Sequence, residues 1–230
     1  MSKNVLITGA ASGIGLHIAE QLARAGHSII VTDLNEKVAQ QAAQKIVNQG
    51  GTARGYALNV ADSQAIEDFF STFTQPVDVL INNAGALLNK PFTETSMQDF
   101  EYVYKTNVFG VAELTRLVLP KMGKNGHVVT ISSMGGVQGS TKFPGLSAYS
   151  SSKGALSILS ECLAKDFEQD DISVNCLALG AVNTDMLKQA FPDYQAETEP
   201  DQMAGFISNF ALKNNTVMNG VTQIVSVSNP

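Results

Sequence analysis

Val5-Leu-Ile-Thr8-Gly9-Ala-Ala-Ser12-Gly13-Ile14-Gly15 is the stretch whose reading decides the fold. Val5 to Thr8 is a short apolar run that stops at a glycine, the pattern of a strand buried on both faces of a parallel sheet. Leu16 to Arg24 then carries helical apolar spacing. A strand, a glycine turn and a helix start form the setting that a nucleotide-binding glycine motif requires. Gly9 permits a tight turn, Gly13 lets the backbone approach a diphosphate, and Gly15 lets the helix pack on the strand. The free amides and dipole of the helix N-terminus, around Ser12 and Ile14, would hold the anion. The spacing is G-x-x-x-G-x-G rather than G-x-G-x-x-G, so a turn of purely structural use stands as the alternative.

Working outward, Ser28 to Thr32 reads as the second strand, and Asp33 ends it. An acidic group there accepts hydrogen bonds from ribose hydroxyls and repels a 2′-phosphate, which favours NAD over NADP. The competing reading makes Asp33 the N-cap of the next helix. Helix 36–48 stops at Gly50-Gly51. Strand 52–58, with Asn59-Val60 at its end, helix 63–73 and strand 77–81 follow. Ser96 begins a helical stretch that reads as continuous to Met122. Strand 126–131, a helix through Tyr149 to about Phe167, strand 171–178, helix 201–212 and strand 220–227 complete the series. Strands alternate with helices throughout, so the expected architecture is an α/β fold with one doubly wound, seven-stranded parallel sheet over residues 1–230, a Rossmann-type single domain. Residues 187–200 lack periodicity and read as a flap over the site.

Ligands of open α/β sheets bind outside the carboxyl ends of the strands, and the polar residues gather there. Asn82-Asn83-Ala84-Gly85 closes the fourth strand and either lines a crevice or forms a plain turn. Asn107 lies near an apolar helix face and needs a partner. Ser133 ends the fifth strand, placed to bind a ligand oxygen. The loop from Met134 to Pro144 is glycine-rich and reads as a mobile substrate entrance. Tyr149 and Lys153 stand four apart on one helix face. A lysine ammonium beside a phenol favours the phenolate, so the pair can pass a proton near neutral pH. No G-x-S-x-G elbow supports serine as a nucleophile.

Composition narrows the classes. Apolar residues make up 44% and charged residues 16%, ordinary for a folded domain. A net charge of −6 argues against nucleic acid as a partner. Cys162 and Cys176 stand alone, outside any metal-ligand or redox spacing, so no metal is expected and Cys176 reads as a buried inert thiol. No run reaches the length that spans a bilayer and no cleavable leader is visible, so a soluble, cytoplasmic protein without a membrane partner is expected.

Thr8-Gly9-x-x-x-Gly13-Ile14-Gly15, Asn82-Asn-Ala-Gly85, Asn107, Ser133 and Tyr149-x-x-x-Lys153 stand in one order along nearly the whole chain, and together they resemble the short-chain dehydrogenase/reductase family. The resemblance implies an NAD(H) oxidoreductase that interconverts a secondary alcohol and a ketone. Tyr149 would be the general acid/base, and Lys153 would lower its pKa and hold the nicotinamide ribose. Ser133 would polarise the substrate oxygen, and Asn107 would hold a water on the proton path. Val182 and Thr184 match the segment that positions the carboxamide, and Asn59 and Val60 match the adenine-contacting pair. A homodimer or homotetramer is implied.

Three departures are visible. Leu179-Gly180 replaces the usual Pro-Gly, which would loosen that turn. The loop between Ser133 and Tyr149 is slightly long, and residues 225–230 replace the family's usual end. The rivals are an NADP(H)-dependent carbonyl or 3-oxoacyl reductase and a non-catalytic nucleotide-binding regulator. Met134, Gln138, Phe143, Leu146 and Ala181, with the flap, suggest a medium-sized, partly apolar alcohol.

Overall fold

The computed structural model describes residues 1–227. Its seven strands are β1 (Asn4–Thr8), β2 (Ser28–Asp33), β3 (Thr52–Ala57), β4 (Val79–Asn82), β5 (His127–Ser133), β6 (Ser173–Leu179) and β7 (Thr222–Val225). They form one sheet in the order β3-β2-β1-β4-β5-β6-β7, every pairing parallel. The helices are α1 (Gly13–Arg24), α2 (Glu36–Asn48), α3 (Ser63–Thr72), α4 (Met97–Tyr104), α5 (Gly110–Val118), α6 (Ser147–Asp166), α7 (Asp185–Ala190) and α8 (Pro200–Lys213).

Strand alternation sorts the core into two layers. Val5, Ile7, Ile29, Val31, Ile81 and Val129 face α1, α2 and α8. Leu6, Ile30, Leu80, Val128 and Val174 face α3 and α5. Both faces of the sheet are covered, which is why the strands read as unbroken apolar runs. The chain runs outward from β1 through β2 to β3, then returns to β4 on β1's other side. That reversal opens a crevice at the carboxyl ends of β1 and β4, where such sheets bind ligands.

The stretch from Ser96 to Met122 departs from the expected single helix. Residues Lys105–Phe109 form a π turn between α4 and α5, and a short 3₁₀ turn covers Leu119–Lys121. One extra residue in the turn swings Asn107 inward, where its side chain is fully buried. The 187–200 segment also gains structure. It contains the end of α7, while Thr198 pairs with Val182, so the excursion runs from 184 to 197.

The loop after β5 is held, not loose. Lys142 Nζ donates to the carbonyls of Val137 and Ser140 at 2.7 and 3.0 Å, and Ser140 Oγ donates to Met134 O at 2.5 Å. Nor is the turn at Leu179 loosened. Leu179 is buried at the end of β6, and the Gly180 amide donates to Val225 O at 2.9 Å. Of the atypical C-terminal end, residues 228–230 lie outside the described residues.

Candidate active site

The glycine turn is a backbone device. Gly9 and Gly13 have φ of +61° and +52°, a region side chains disfavour. A Cβ at Gly15 would overlap Gly9 O and lie 2.6 Å from Asn83 Nδ2, so only glycine lets α1 start this close to β1. Asn83 locks the turn from β4: its Nδ2 donates to the carbonyls of Thr8 and Gly9 at 2.9 and 3.0 Å. In return, Thr8 Oγ1 accepts the amides of Asn83 and Ala84 at 3.1 and 3.0 Å. The adjacent asparagines thus tie strand ends together, and Asn82 Nδ2 reaches Thr115 Oγ1 at 3.4 Å.

Helix α1 begins at Ser12 with no side-chain cap and no acidic residue in its first turn. Its leading amides are therefore left for an anion. Side chains do cap α2, α3, α4 and α7, through Asn35, Asp62, Ser96 and Thr184. The cap of α2 is thus Asn35, which removes the competing reading of Asp33. Asp33 Oδ2 instead accepts the Ala11 amide at 3.2 Å, holding its carboxylate beside the glycine turn. Gly13 faces Thr184 across this crevice, with a Cβ there falling 4.0 Å from Thr184 Cγ2. Val182 is buried, and Ile14 packs at the margin of the core. Asn59 folds back on its own loop, Oδ1 accepting the Ala61 amide at 3.0 Å, while Val60 O rests against Gly110.

The second cluster stands at the ends of β4 and β5. Lys153 is buried on α6, and its Nζ donates to Ile131 O at 2.8 Å. A Cβ at Gly85 would come within 3.4 Å of Lys153 Nζ and 3.5 Å of Asn107 Oδ1, so Gly85 leaves open the space these two share. Asn107 is fixed on three sides: Oδ1 accepts the Ala86 amide at 2.7 Å, and Nδ2 donates to Ala86 O and Ser152 Oγ, both at 2.9 Å. Ser133 Oγ accepts the Gly135 amide at 3.2 Å and lies near enough to the Tyr149 phenol to influence its titration. Ser133, Tyr149, Lys153 and Asn107 therefore lie in one neighbourhood at these strand ends.

The electrostatics differ from the sequence expectation in one respect. Burial pushes the Tyr149 phenol above its usual value near ~10, and the Ser133 hydroxyl only partly opposes this. The ammonium of Lys153 lies 5.8 Å from the Tyr149 ring centre and bonds Ile131 O, so in the protein alone burial outweighs any lowering by the lysine. Burial also brings Lys153 down to about 8, opposed weakly by Cys176. The Cys176 thiol is pushed up by burial and inert, and Cys162 is exposed.

Two residues that sequence reasoning missed complete the support. Ser152 Oγ accepts from Asn107 and donates to Tyr149 O at 2.7 Å, and Ser132 Oγ donates to Lys153 O at 2.8 Å. The serine run before Lys153 gave no sign of which hydroxyl turns inward. A cavity of about 460 Å³ lies elsewhere, at the opposite strand ends, lined by Asn4, Ser28, Thr52 and Arg54. Among the described residues, no His/Cys/Asp/Glu group could hold a metal, and no helix is long and apolar enough to cross a membrane.

The short chain dehydrogenase family model matches residues 3–195. The chain is 39% identical over 191 residues to a 7alpha-hydroxysteroid dehydrogenase of Escherichia coli, covering 81% of this chain and 73% of that one. It is 35% identical over 192 residues to a cyclopentanol dehydrogenase of Comamonas, covering 81% and 76%. Among solved structures, a dehydrogenase/reductase of Sinorhizobium meliloti superposes with a TM-score of 0.89 at 28% identity, covering 98% of this chain and 94% of that one. A gluconate 5-dehydrogenase of Burkholderia cenocepacia, in complex with NADP and tartrate, gives 0.87 at 27% identity, covering 98% and 94%. The chain belongs to the short-chain dehydrogenase family of nicotinamide-dinucleotide oxidoreductases.

Proposed function

We propose that the protein interconverts a secondary alcohol and a ketone with NAD(H), and that Tyr149 is the general acid/base. The observation that carries this reading is the convergence of Ser133, Tyr149, Lys153 and Asn107 beside the uncapped start of α1. The cradle fits a dinucleotide: leading amides of α1 for the diphosphate, Asp33 for the adenosine ribose, and the space left by Gly85 for the nicotinamide side. When bound, the nicotinamide supplies or accepts the hydride.

The chain's own residues would do the rest. The Ser133 hydroxyl orients the substrate oxygen. The Tyr149 phenol, whose proton burial holds more firmly, donates that proton to a ketone oxygen as the alcohol forms. Lys153 holds its ammonium below the phenol and presents further N–H groups to the ribose. Asn107, Ser152 and the Ala86 backbone keep that floor rigid. Asn59, Val60, Asn83, Ala84, Val182 and Thr184 would line the dinucleotide's path. Of these, the Asn83 side chain serves by holding the turn.

Asp33 supports NAD over NADP, since its carboxylate is held beside the glycine turn and would repel a 2′-phosphate bound there. The NADP complexes among similar structures favour the second reading, an NADP(H) enzyme. Titrating the protein into NADH and NADPH, followed by nicotinamide fluorescence, separates the two; the chain has no Trp to add background. NADH is expected to bind at least about tenfold tighter, the worth of one charged hydrogen bond plus a repulsion. Equal or tighter NADPH binding would overturn the NAD assignment.

A further inference from the structure

The excursion 184–197 rests on little packing. No residue from Asn183 to Gln195 is buried. Its base is clamped: Val182 pairs with Thr198, the Asn183 amide donates to Thr198 O at 2.9 Å, and Asn183 Nδ2 donates to Glu199 Oε1 at 2.8 Å. Its far end is held differently. Asn89 Nδ2 donates to Ala190 O at 2.8 Å. Among the described residues this is the one hydrogen bond joining 185–197 to another loop. Next to it, Phe191 meets Phe143 edge to face, ring centres 6.2 Å apart.

Asn89 is itself well anchored. The Lys90 amide donates to Gly145 O at 2.9 Å, and Lys90 Nζ bonds Asp99 at 2.8 Å, the residue that completes the α4 capping box. The three loops concerned leave the carboxyl ends of the neighbouring strands β4, β5 and β6. Asn89, Phe143 and Phe191 therefore join them above the end of the sheet that carries Ser133 and Tyr149.

Resting on the function proposed above, we infer that Asn89 is a positioning residue that latches the 184–197 segment over the substrate site. Phe143 and Phe191 form the outer wall so closed, and that apolar wall limits the size of the secondary alcohol admitted. A segment held by one tie and few buried contacts opens easily. When the binding-competent arrangement is only partly populated, apparent substrate affinity falls by that fraction. Losing the tie should therefore weaken substrate binding while leaving the nucleotide and the chemical groups alone.

Asn89→Asp keeps the shape, removes the donor and sits at an exposed position. The full chain would be assayed with cyclohexanol and cyclododecanol, alongside NADH binding and amide hydrogen exchange. The expected result is a KM for cyclohexanol raised about three- to tenfold, the usual worth of a net hydrogen bond. Turnover and NADH affinity should stay within about twofold. Exchange at Lys188, Phe191 and Tyr194, whose amides bond within the segment, should quicken as the open fraction grows. Phe191→Ala should raise kcat/KM for cyclododecanol relative to cyclohexanol. Unchanged KM and exchange, or an equal loss of NADH affinity, overturns the latch; unchanged selectivity in Phe191→Ala overturns the wall. If the wild type oxidises neither alcohol with either nucleotide, the function proposed above falls instead, and exchange alone decides whether Asn89 holds the segment.

Discussion

The glycine turn after β1 and the loops after β5 and β6 stand at the same end of the sheet, yet the first is shaped by backbone and the second by side chains. Around Gly9 to Gly15 the geometry comes from positive φ angles, a missing Cβ and paired main-chain groups that Asn83 and Thr8 satisfy. Across the crevice, the segment 184–197 meets the loop after β4 through an amide and the loop before α6 through two phenyl rings. Backbone devices of the first kind have few alternatives and suit a ligand part that does not vary. Side-chain ties can be exchanged one at a time, which suits a pocket that differs from one substrate to the next.

The largest effect should come where the two sides meet. Tyr149→Phe removes the proton carrier but keeps the ring, so kcat should fall by about 10³-fold. NADH affinity, read by fluorescence, should change by no more than about twofold. Turnover within about tenfold of wild type would sink the acid/base assignment.

The backbone side can be broken at one atom. In Gly15→Ala the new methyl overlaps Gly9 O and crowds Asn83 Nδ2, and neither can yield without moving the turn. Overpacking of this kind costs about 1–3 kcal/mol. Thermal unfolding should shift down accordingly, and NADH affinity should fall more than tenfold. If affinity survives, the diphosphate does not sit on this turn.

The same contrast explains what the sequence disclosed. The glycine pattern was legible because steric demands of backbone select a residue type. Tyr149 and Lys153 were legible because helical spacing puts them on one face. Asn107 could be recognised as a polar residue on an apolar helix, but the π turn that delivers it could not. Its cause is the remote bonds to Ala86 and Ser152, and local periodicity does not register them. Asn89 resembles any loop asparagine, and its role exists only once Ala190 folds back to meet it. The expected looseness of the loop after β5 and of Leu179 failed for a like reason. Leu179 is held by a distant strand, where Val225 pairs with it, and the loop after β5 is tied within itself by the Lys142 side chain, whose bonds to Val137 and Ser140 no periodicity announces.

Lys153 belongs to both sides, under Gly85 on one and beside Tyr149 on the other, and its cost to the fold should be measurable. Among the described residues its Nζ has one protein partner, the Ile131 carbonyl, and no carboxylate. Burial lowers its pKa from 10.5 to about 8. Between those values the unfolded chain binds more protons than the folded one, so this group makes stability rise with pH through that window. Below about 8 the penalty is present in full, roughly 3 kcal/mol at most. Lys153→Met removes it, at the loss of one hydrogen bond worth about 1 kcal/mol and of turnover. Chemical denaturation of both proteins from pH 7 to 10.5 should therefore show the wild type gaining on the variant as pH rises. Parallel pH profiles would mean that Lys153 keeps an ordinary pKa in the folded protein. The nucleotide, by offering the ammonium ribose oxygens, would offset the same penalty, so wild type should gain more stability from NADH than the variant does.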